Sequence, residues 1–265
     1  MLKSDTVFSS FDLPVGETIA DTGITPEEQR VREDLAAAYR LCAINGWDDL
    51  VYTHLSARVP GPSHHFLVNP LGLSFHEITA SNLVKIDLDG RVVGQSPYRP
   101  NAAGFVIHGC IHAAREDAAC VMHLHTEAGM ALSALEDGLL PITQHAMRFV
   151  GRLGYHDYEG IALTIDERDR LLADLGNHAA LILRNHGTLT VGRSVGHAFV
   201  EMFYLEKAAR AQLLAQSTGA RLRIPPHHVA VLTAQQWVTD MRGSGDREWP
   251  SLLRQLARDG HDYKQ

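Results

Sequence analysis

Two short apolar runs joined through a tight turn constrain this chain most. Ala179–Leu183 is strand-length and wholly apolar, Asn185-His186-Gly187 is a turn signal, and Thr188–Val191 returns. A second hairpin signal is Asp89-Gly90, flanked by Leu83–Leu88 and Arg91–Val93. Further strand candidates are Leu50–Val59, closed by Pro60-Gly61-Pro62, then Phe66–Val68 and Ala118–His125. Helical patterns lie between them. The first has Thr25 as N-cap, Pro26 at its first position, Glu28 completing a capping box and Asn45-Gly46 as its stop. Others are Ala102–Arg115, a helix capped by Thr126 and running to about Leu135, Asp166–Leu175 ending at Gly176, and Ser194–Gln216 stopped by Gly219. Residues 141–158 read as irregular and 220–235 as a linker around Pro225-Pro226. The expected organisation is an arm at 1–24, a main domain at 25–218, and a linker with a helical tail at 219–265. Helices around a sheet with hairpins, without strict βαβ alternation, place the chain in the α/β class.

Charge and composition remove several functions. The 265 residues carry a net charge of −7 with no basic run, against nucleic acid or an anionic membrane as partner. No apolar stretch approaches 18 residues, and the N-terminus lacks a signal-peptide core. Cys42, Cys110 and Cys120, without a CxxC, suggest free buried thiols in a reducing compartment, so a cytoplasmic protein is expected. Neither GxGxxG nor GxxxxGK[ST] occurs, against dinucleotide and P-loop enzymes. The unusual count is histidine, at 16. Neutral imidazole is the commonest metal ligand and a proton carrier near neutral pH.

His123-Leu124-His125 falls at the end of a predicted strand. Residues at i and i+2 share a face, so both rings can approach one ion. His186 follows another apolar strand. If the two strands are neighbours, three imidazoles converge and leave a position open, as in catalytic metal sites.

Five segments in order then resemble the class II aldolase/adducin family. They are Thr53-His54-Leu55-Ser56-Ala57-Arg58, Asn69-Pro70-Leu71-Gly72, His76-Glu77-Ile78-Thr79-Ala80-Ser81, His123-Leu124-His125-Thr126 and Arg184-Asn185-His186-Gly187. Asn101-Ala102-Ala103-Gly104-Phe105, Gly138-Leu139-Leu140-Pro141-Ile142 and Tyr155-His156-Asp157-Tyr158 are closer to its adducin-type branch. The resemblance implies a three-layer α/β/α sandwich with a largely antiparallel central sheet. It also implies a homotetramer with sites between subunits, and a zinc ion on His123, His125 and His186. Iron(II) or manganese(II) also suits three neutral nitrogens.

The family pattern is incomplete here. Its catalytic glutamate falls on Gly104, its two phosphate-binding serines on Ala102 and Ala103, and an asparagine of its phosphate loop on His54. A phosphate dianion needs several donors to offset its desolvation, so a non-phosphorylated substrate is expected. By resemblance, His54, Ser56, Asn69, Gly72 and Gly104 are the candidates for substrate binding. His108, His156, Glu127 and Tyr204 are candidates to replace the lost acid/base. His112 shares a helix face with His108. Glu77 reads as a helix-start hydrogen bonder, Glu201 and Lys207 as a solvated face, and His64-His65 and His227-His228 as surface. Arg99 and Arg148 are candidate carboxylate anchors.

The expected function is a divalent-metal-dependent lyase cleaving a C–C bond in a small oxo- or hydroxy-acid. The alternatives are a non-haem iron oxygenase on a similar acid, and a non-catalytic, adducin-like cytoskeletal interaction protein.

Overall fold

The computed structural model describes residue 19 and residues 23–61, 64–100, 102–160, 167–240 and 244–265. Most of the expected arm, together with Pro62, Asn101 and Asp166, lies outside the described residues.

The first helix, α1 (Pro26–Ile44), starts where the capping signal puts it: the Glu28 amide donates to Thr25 Oγ1 at 3.1 Å. The capping box itself is not closed. Glu28 is buried and its carboxylate is taken by Arg32 and Lys85, each at 2.8 Å, while Arg32 also donates to the carbonyls of Ala80 and Leu83. Strand β1 (His54–Arg58) is shorter than the alternation in Leu50–Val59 suggests, because Leu50 and Thr53 take positive φ and the Tyr52 amide turns back onto the Asp49 carbonyl. Strands β2 (Phe66–Val68) and β3 (Val84–Ile86) follow, and the Asp89-Gly90 hairpin closes with a single bridge, Ile86 to Val92.

Next come α2 (Ala102–Ala114), β4 (Cys120–Leu124), and α3 (Glu127–Ser133), capped by Thr126. The stretch 141–158, expected to be irregular, contains a short helix α4 (Gln144–Met147) and strand β5 (Leu153–His156). Leu-Gly-Tyr-His has no apolar run to betray it; β5 is a strand because it pairs with β6. Then come α5 (Arg168–Leu175), β6 (Ala180–Leu183), β7 (Gly187–Gly192) and the 23-residue α6 (Val195–Ser217). The linker is shorter than expected: α7 (His227–Thr239) begins directly after Pro226, since a proline lacking an N–H suits a helix start. Helix α8 (Glu248–Arg258) packs on α1 and α6.

The seven strands form one sheet in the order β3-β2-β1-β4-β7-β6-β5, antiparallel throughout except β5 with β6. Alternate residues feed two helical layers, as strand geometry requires. Leu55, Ala57, Cys120, Met122 and Leu124 join α1, α6 and α8 in the largest core cluster. Val121, Leu181, Leu183, Leu189 and Val191 join α2 and α5 on the other face. The result is the expected three-layer sandwich with a largely antiparallel centre. Cys42, Cys110 and Cys120 are free and buried.

Candidate metal centre

Three strand ends meet at one edge of the sheet. β1 begins there with His54, β4 ends there with His123 and Leu124, and β7 begins there just after His186. The β1–β4 register sets His54 directly opposite His123, and the β4–β7 register sets Leu124 opposite Thr188. The turn that carries His186 depends on two backbone choices. Asn185 takes φ +55°, and Gly187 lies so near β4 that a Cβ there would sit 2.5 Å from the Leu124 carbonyl oxygen. A side chain at Gly187 would push the turn, and His186 with it, away from the histidine pair.

His123, His125 and His186 each offer one ligand nitrogen, all within 4.8 Å of one another. Hydrogen bonds fix which nitrogen faces inwards for two of them. His123 Nδ1 donates to the Thr188 carbonyl at 3.1 Å and His125 Nδ1 donates to Asp49 Oδ2 at 3.0 Å. Both Nε2 atoms therefore carry lone pairs in the neutral rings, and they face each other at 3.0 Å. Two opposed lone pairs repel unless a cation lies between them. Nitrogens each about 2.0–2.1 Å from a tetrahedral ion stand roughly 3.3 Å apart, close to this separation. Burial, then the neighbouring histidines, holds His123 well below the usual imidazole range and brings His186 down to about 4. Both are neutral at physiological pH, as ligands must be. The residues fit a divalent ion.

Asp49 is the carboxylate that holds the His125 ring, and sequence spacing gave no sign of it. It sits in the turn between α1 and β1, far in sequence from the histidines it serves. Asp49→Ala is expected to weaken zinc binding about 10–100-fold, the usual effect of losing a group that orients a ligand. Isothermal titration of zinc into metal-free protein checks this; unchanged affinity would remove Asp49 from the site.

A cavity of about 500 Å³ adjoins the centre, lined in part by Asp48, Asp49, His125, Glu127, Glu206 and Arg210. Glu127 is exposed in the first turn of α3, on the wall of this cavity. Glu206 is buried, accepts a hydrogen bond from Thr126, and has its pKa raised by desolvation. On the other side of His54, Thr53 holds a β-branched residue at φ +62°, a strained backbone. Its buried hydroxyl and the amide of fully buried Asn69 have no hydrogen-bond partner among the described residues. Such orphans cost about 1–3 kcal/mol each when left unpaired. Gly72 follows at φ +90°, and the Leu71 amide donates to the Arg99 carbonyl. Gly104 lies in the first turn of α2. Ser56 and His108 are buried behind His54.

The remaining candidates make no hydrogen bond to the triad among the described residues, although His156 and Glu167 act electrostatically on His186. His156 is buried between Asp174, at 2.8 Å from Nδ1, and Glu167, at 3.2 Å from Nε2. The Glu167 hydrogen bond, against burial and with help from Asp174, raises its pKa. A histidine with a raised folded pKa contributes stability that is whole below its unfolded value of about 6.5 and fades as pH rises through the folded value. Stability measured from pH 6 upwards is therefore expected to fall, and His156→Gln to flatten that fall. Tyr204 stacks on His145 at 5.2 Å and lies under Arg148 and beside Trp237. Arg148, considered as a carboxylate anchor, is bound at 2.7 Å to Glu201. Glu201 corrects the expectation of a solvated face: it is fully buried, because α6 turns that side towards Arg148 and Arg152. Lys207, His64, His227 and His228 are exposed, and Glu77 caps a short 3₁₀ turn through Ser74.

Comparison with known proteins agrees with this geometry. Residues 33–213 match the class II aldolase and adducin N-terminal domain. A Caulobacter vibrioides protein, provisionally named an aldolase class 2 protein, is 50% identical over 241 residues, covering 91% of this chain and 94% of its own. Rat alpha-adducin is 41% identical over 262 residues, covering 89% of this chain but 35% of adducin. Among solved structures, an L-fuculose 1-phosphate aldolase from Glaciozyma antarctica superposes with a TM-score of 0.81 at 30% identity, covering 92% of this chain and 96% of that one. With its three histidines at one end of a seven-stranded sheet, this chain belongs to the class II aldolase and adducin N-terminal domain family.

Proposed function

We propose that this chain is a divalent-metal-dependent lyase that cleaves a C–C bond in a small, non-phosphorylated oxo- or hydroxy-acid. The convergence of His123, His125 and His186, with the Nε2 atoms of the first two 3.0 Å apart, carries this reading, since a divalent ion between neutral rings would accept their lone pairs. Zinc is the expected ion, held by those two rings and His186. When bound it supplies Lewis acidity towards a carbonyl or carboxylate oxygen, favouring the carbanion-like charge left by C–C cleavage. Asp49 and the Thr188 carbonyl hold two ligand rings in one orientation. Arg210 and the ion would balance a substrate carboxylate in a cavity otherwise rich in acidic groups. Thr53 and Asn69 offer the substrate hydrogen-bonding groups that no other described residue takes. The lack of hydroxyls at Ala102 and Ala103 supports a substrate without phosphate.

We assign the site to a unit of residues 25–218, with 219–265 as a linker and helical tail whose α8 packs back onto α1 and α6. Exposed Leu50 and Tyr52 beside Asp49 support a second subunit at the site's mouth, as in a homotetramer. Free cysteines support a cytoplasmic setting. A second reading, an adducin-like interaction role, is favoured by the 41% identity to rat alpha-adducin.

The test is metal content by plasma mass spectrometry, on protein purified without chelator beside a His123→Ala control, followed by an oxo- and hydroxy-acid screen with and without oxygen. Near one equivalent of zinc, lost in the variant, with oxygen-independent cleavage would support the lyase. Iron with oxygen-dependent turnover would replace it by an oxygenase. No metal after reconstitution would favour the interaction role.

A further inference from the structure

Behind the metal centre, between β1 and α2, four side chains form a continuous polar string within the core. His112 Nδ1 lies 3.0 Å from the Ala118 carbonyl oxygen. His112 Nε2 and His108 Nδ1 each lie 2.7 Å from Ser56 Oγ. His108 Nε2 lies 3.0 Å from His54 Nδ1. All four residues are at most 3% exposed, and no carboxylate touches them among the described residues. Buried imidazoles without an acidic partner are neutral, each with one N–H.

That condition leaves a single assignment of protons. A carbonyl only accepts, so His112 Nδ1 carries the hydrogen and its Nε2 is bare. The Ser56 hydroxyl must then donate to His112 Nε2. A hydroxyl has one hydrogen, so Ser56 Oγ must accept from His108, whose hydrogen is therefore on Nδ1. His108 Nε2 is bare and takes the hydrogen of His54 Nδ1. His54 Nε2 is left as a lone pair. That ring packs on His123 with centroids 5.3 Å apart. No partner for its Nε2 exists among the described residues. The string ends on a carbonyl, which takes no proton at neutral pH. It is a lock rather than a route for protons.

We propose that His112, Ser56 and His108 are positioning residues that lock His54 in its Nδ1–H tautomer, so that a bare Nε2 beside the triad accepts a hydrogen bond from a substrate hydroxyl. An anionic oxygen placed there would meet a lone pair and be repelled. The inference rests on the reading of the triad as a metal site only for the substrate part; the tautomers belong to the metal-free chain as well. It narrows the substrate class to hydroxy-acids that carry a hydroxyl next to the metal-binding group.

Two-bond proton–nitrogen correlation spectra of uniformly ¹⁵N-labelled protein read each tautomer directly. His54→Gln, His108→Gln and His112→Gln variants supply the assignments. All three histidines are expected as Nδ1–H tautomers in the metal-free wild type; an Nε2–H pattern at any of them would overturn the lock. Ser56→Ala, if folded by circular dichroism, is expected to give mixed tautomers at His54 and His108. An unchanged pattern there would also overturn it. Glycolate added to zinc-loaded wild type is expected to shift the His54 Nε2 resonance, while acetate, which lacks the hydroxyl, leaves it in place. Equal shifts, or none, would overturn the acceptor role. Zinc stoichiometry on the same samples reports separately on the metal reading.

Discussion

Glu201→Gln is expected to destabilise the protein by about 3–5 kcal/mol, the usual result of removing one partner from a buried ion pair. The wild-type carboxylate has no solvent exposure and binds Arg148 and Arg152 at 2.7 Å each, with His197 at 3.4 Å. Burial alone would raise its pKa. Its hydrogen bonds to His197 and Arg148, and the two guanidinium charges, overcome that and hold it far below the ordinary range. Arg148 also packs against Tyr204 and Trp237, so Glu201 ties α6 to the region around α4 and α7. The glutamine variant keeps the shape and leaves the guanidinium of Arg148 buried without that charge. At roughly 2–4 °C per kcal/mol for a chain of this size, the midpoint should drop by about 6–20 °C. Calorimetry and urea unfolding would measure it, and a loss under about 1 kcal/mol would show that the cluster is not a stability determinant. The pH sign follows from the depressed pKa. The wild-type contribution is present above the unfolded carboxylate value of about 4.3 and is lost only as pH falls through the much lower folded value. The gap between wild type and variant should therefore narrow only in strong acid.

His186→Ala is expected to lower zinc affinity by more than about 100-fold, beyond the 10–100-fold typical of losing an orienting group. The residue lies in the β6–β7 turn rather than inside the sheet, so its removal should leave the fold intact. With two imidazoles left, the ion loses a third of its protein donors. Competition titration against a chelator of known affinity measures the change. Affinity within tenfold of wild type would mean that His186 does not bind the ion, and would leave a bidentate pair too weak for the proposed chemistry. Comparing this variant with Asp49→Ala separates loss of a ligand from loss of its orientation.

Much of the architecture was legible from local patterns. Thr25-Pro26, Thr126 and Ser194 mark helix starts because their side chains accept the first free amides, and all three do so here. Phe66–Val68 and Ala180–Leu183 are strands because short apolar runs bounded by turn residues cannot bury themselves in any other way. β5 escaped notice because its Gly and His carry no strand pattern; its pairing with β6 is a long-range fact. The burial of Glu201 was equally illegible, since its partners Arg148 and Arg152 are about 50 residues away in sequence.

The candidate site divides along the same line. His123 and His125 share a face because a strand repeats every two residues, a relation that holds before any tertiary structure exists. Their meeting with His186 was expected if the apolar strand before it, Ala180–Leu183, lay next to β4; instead β7 lies between the two, and its pairing with both β4 and β6 brings His186 to the pair. Asp49, strained Thr53 and the tautomer of His54 could not be read from the chain at all. Each depends on which acceptor or donor a fold brings within about 3 Å, and hydrogen bonds act only at that range. The sequence by itself determined the ligand types and their local spacing. Only the tertiary structure decided which nitrogens face one another, because strand order and register bring together groups far apart in sequence, such as His125 and Asp49, 76 residues apart.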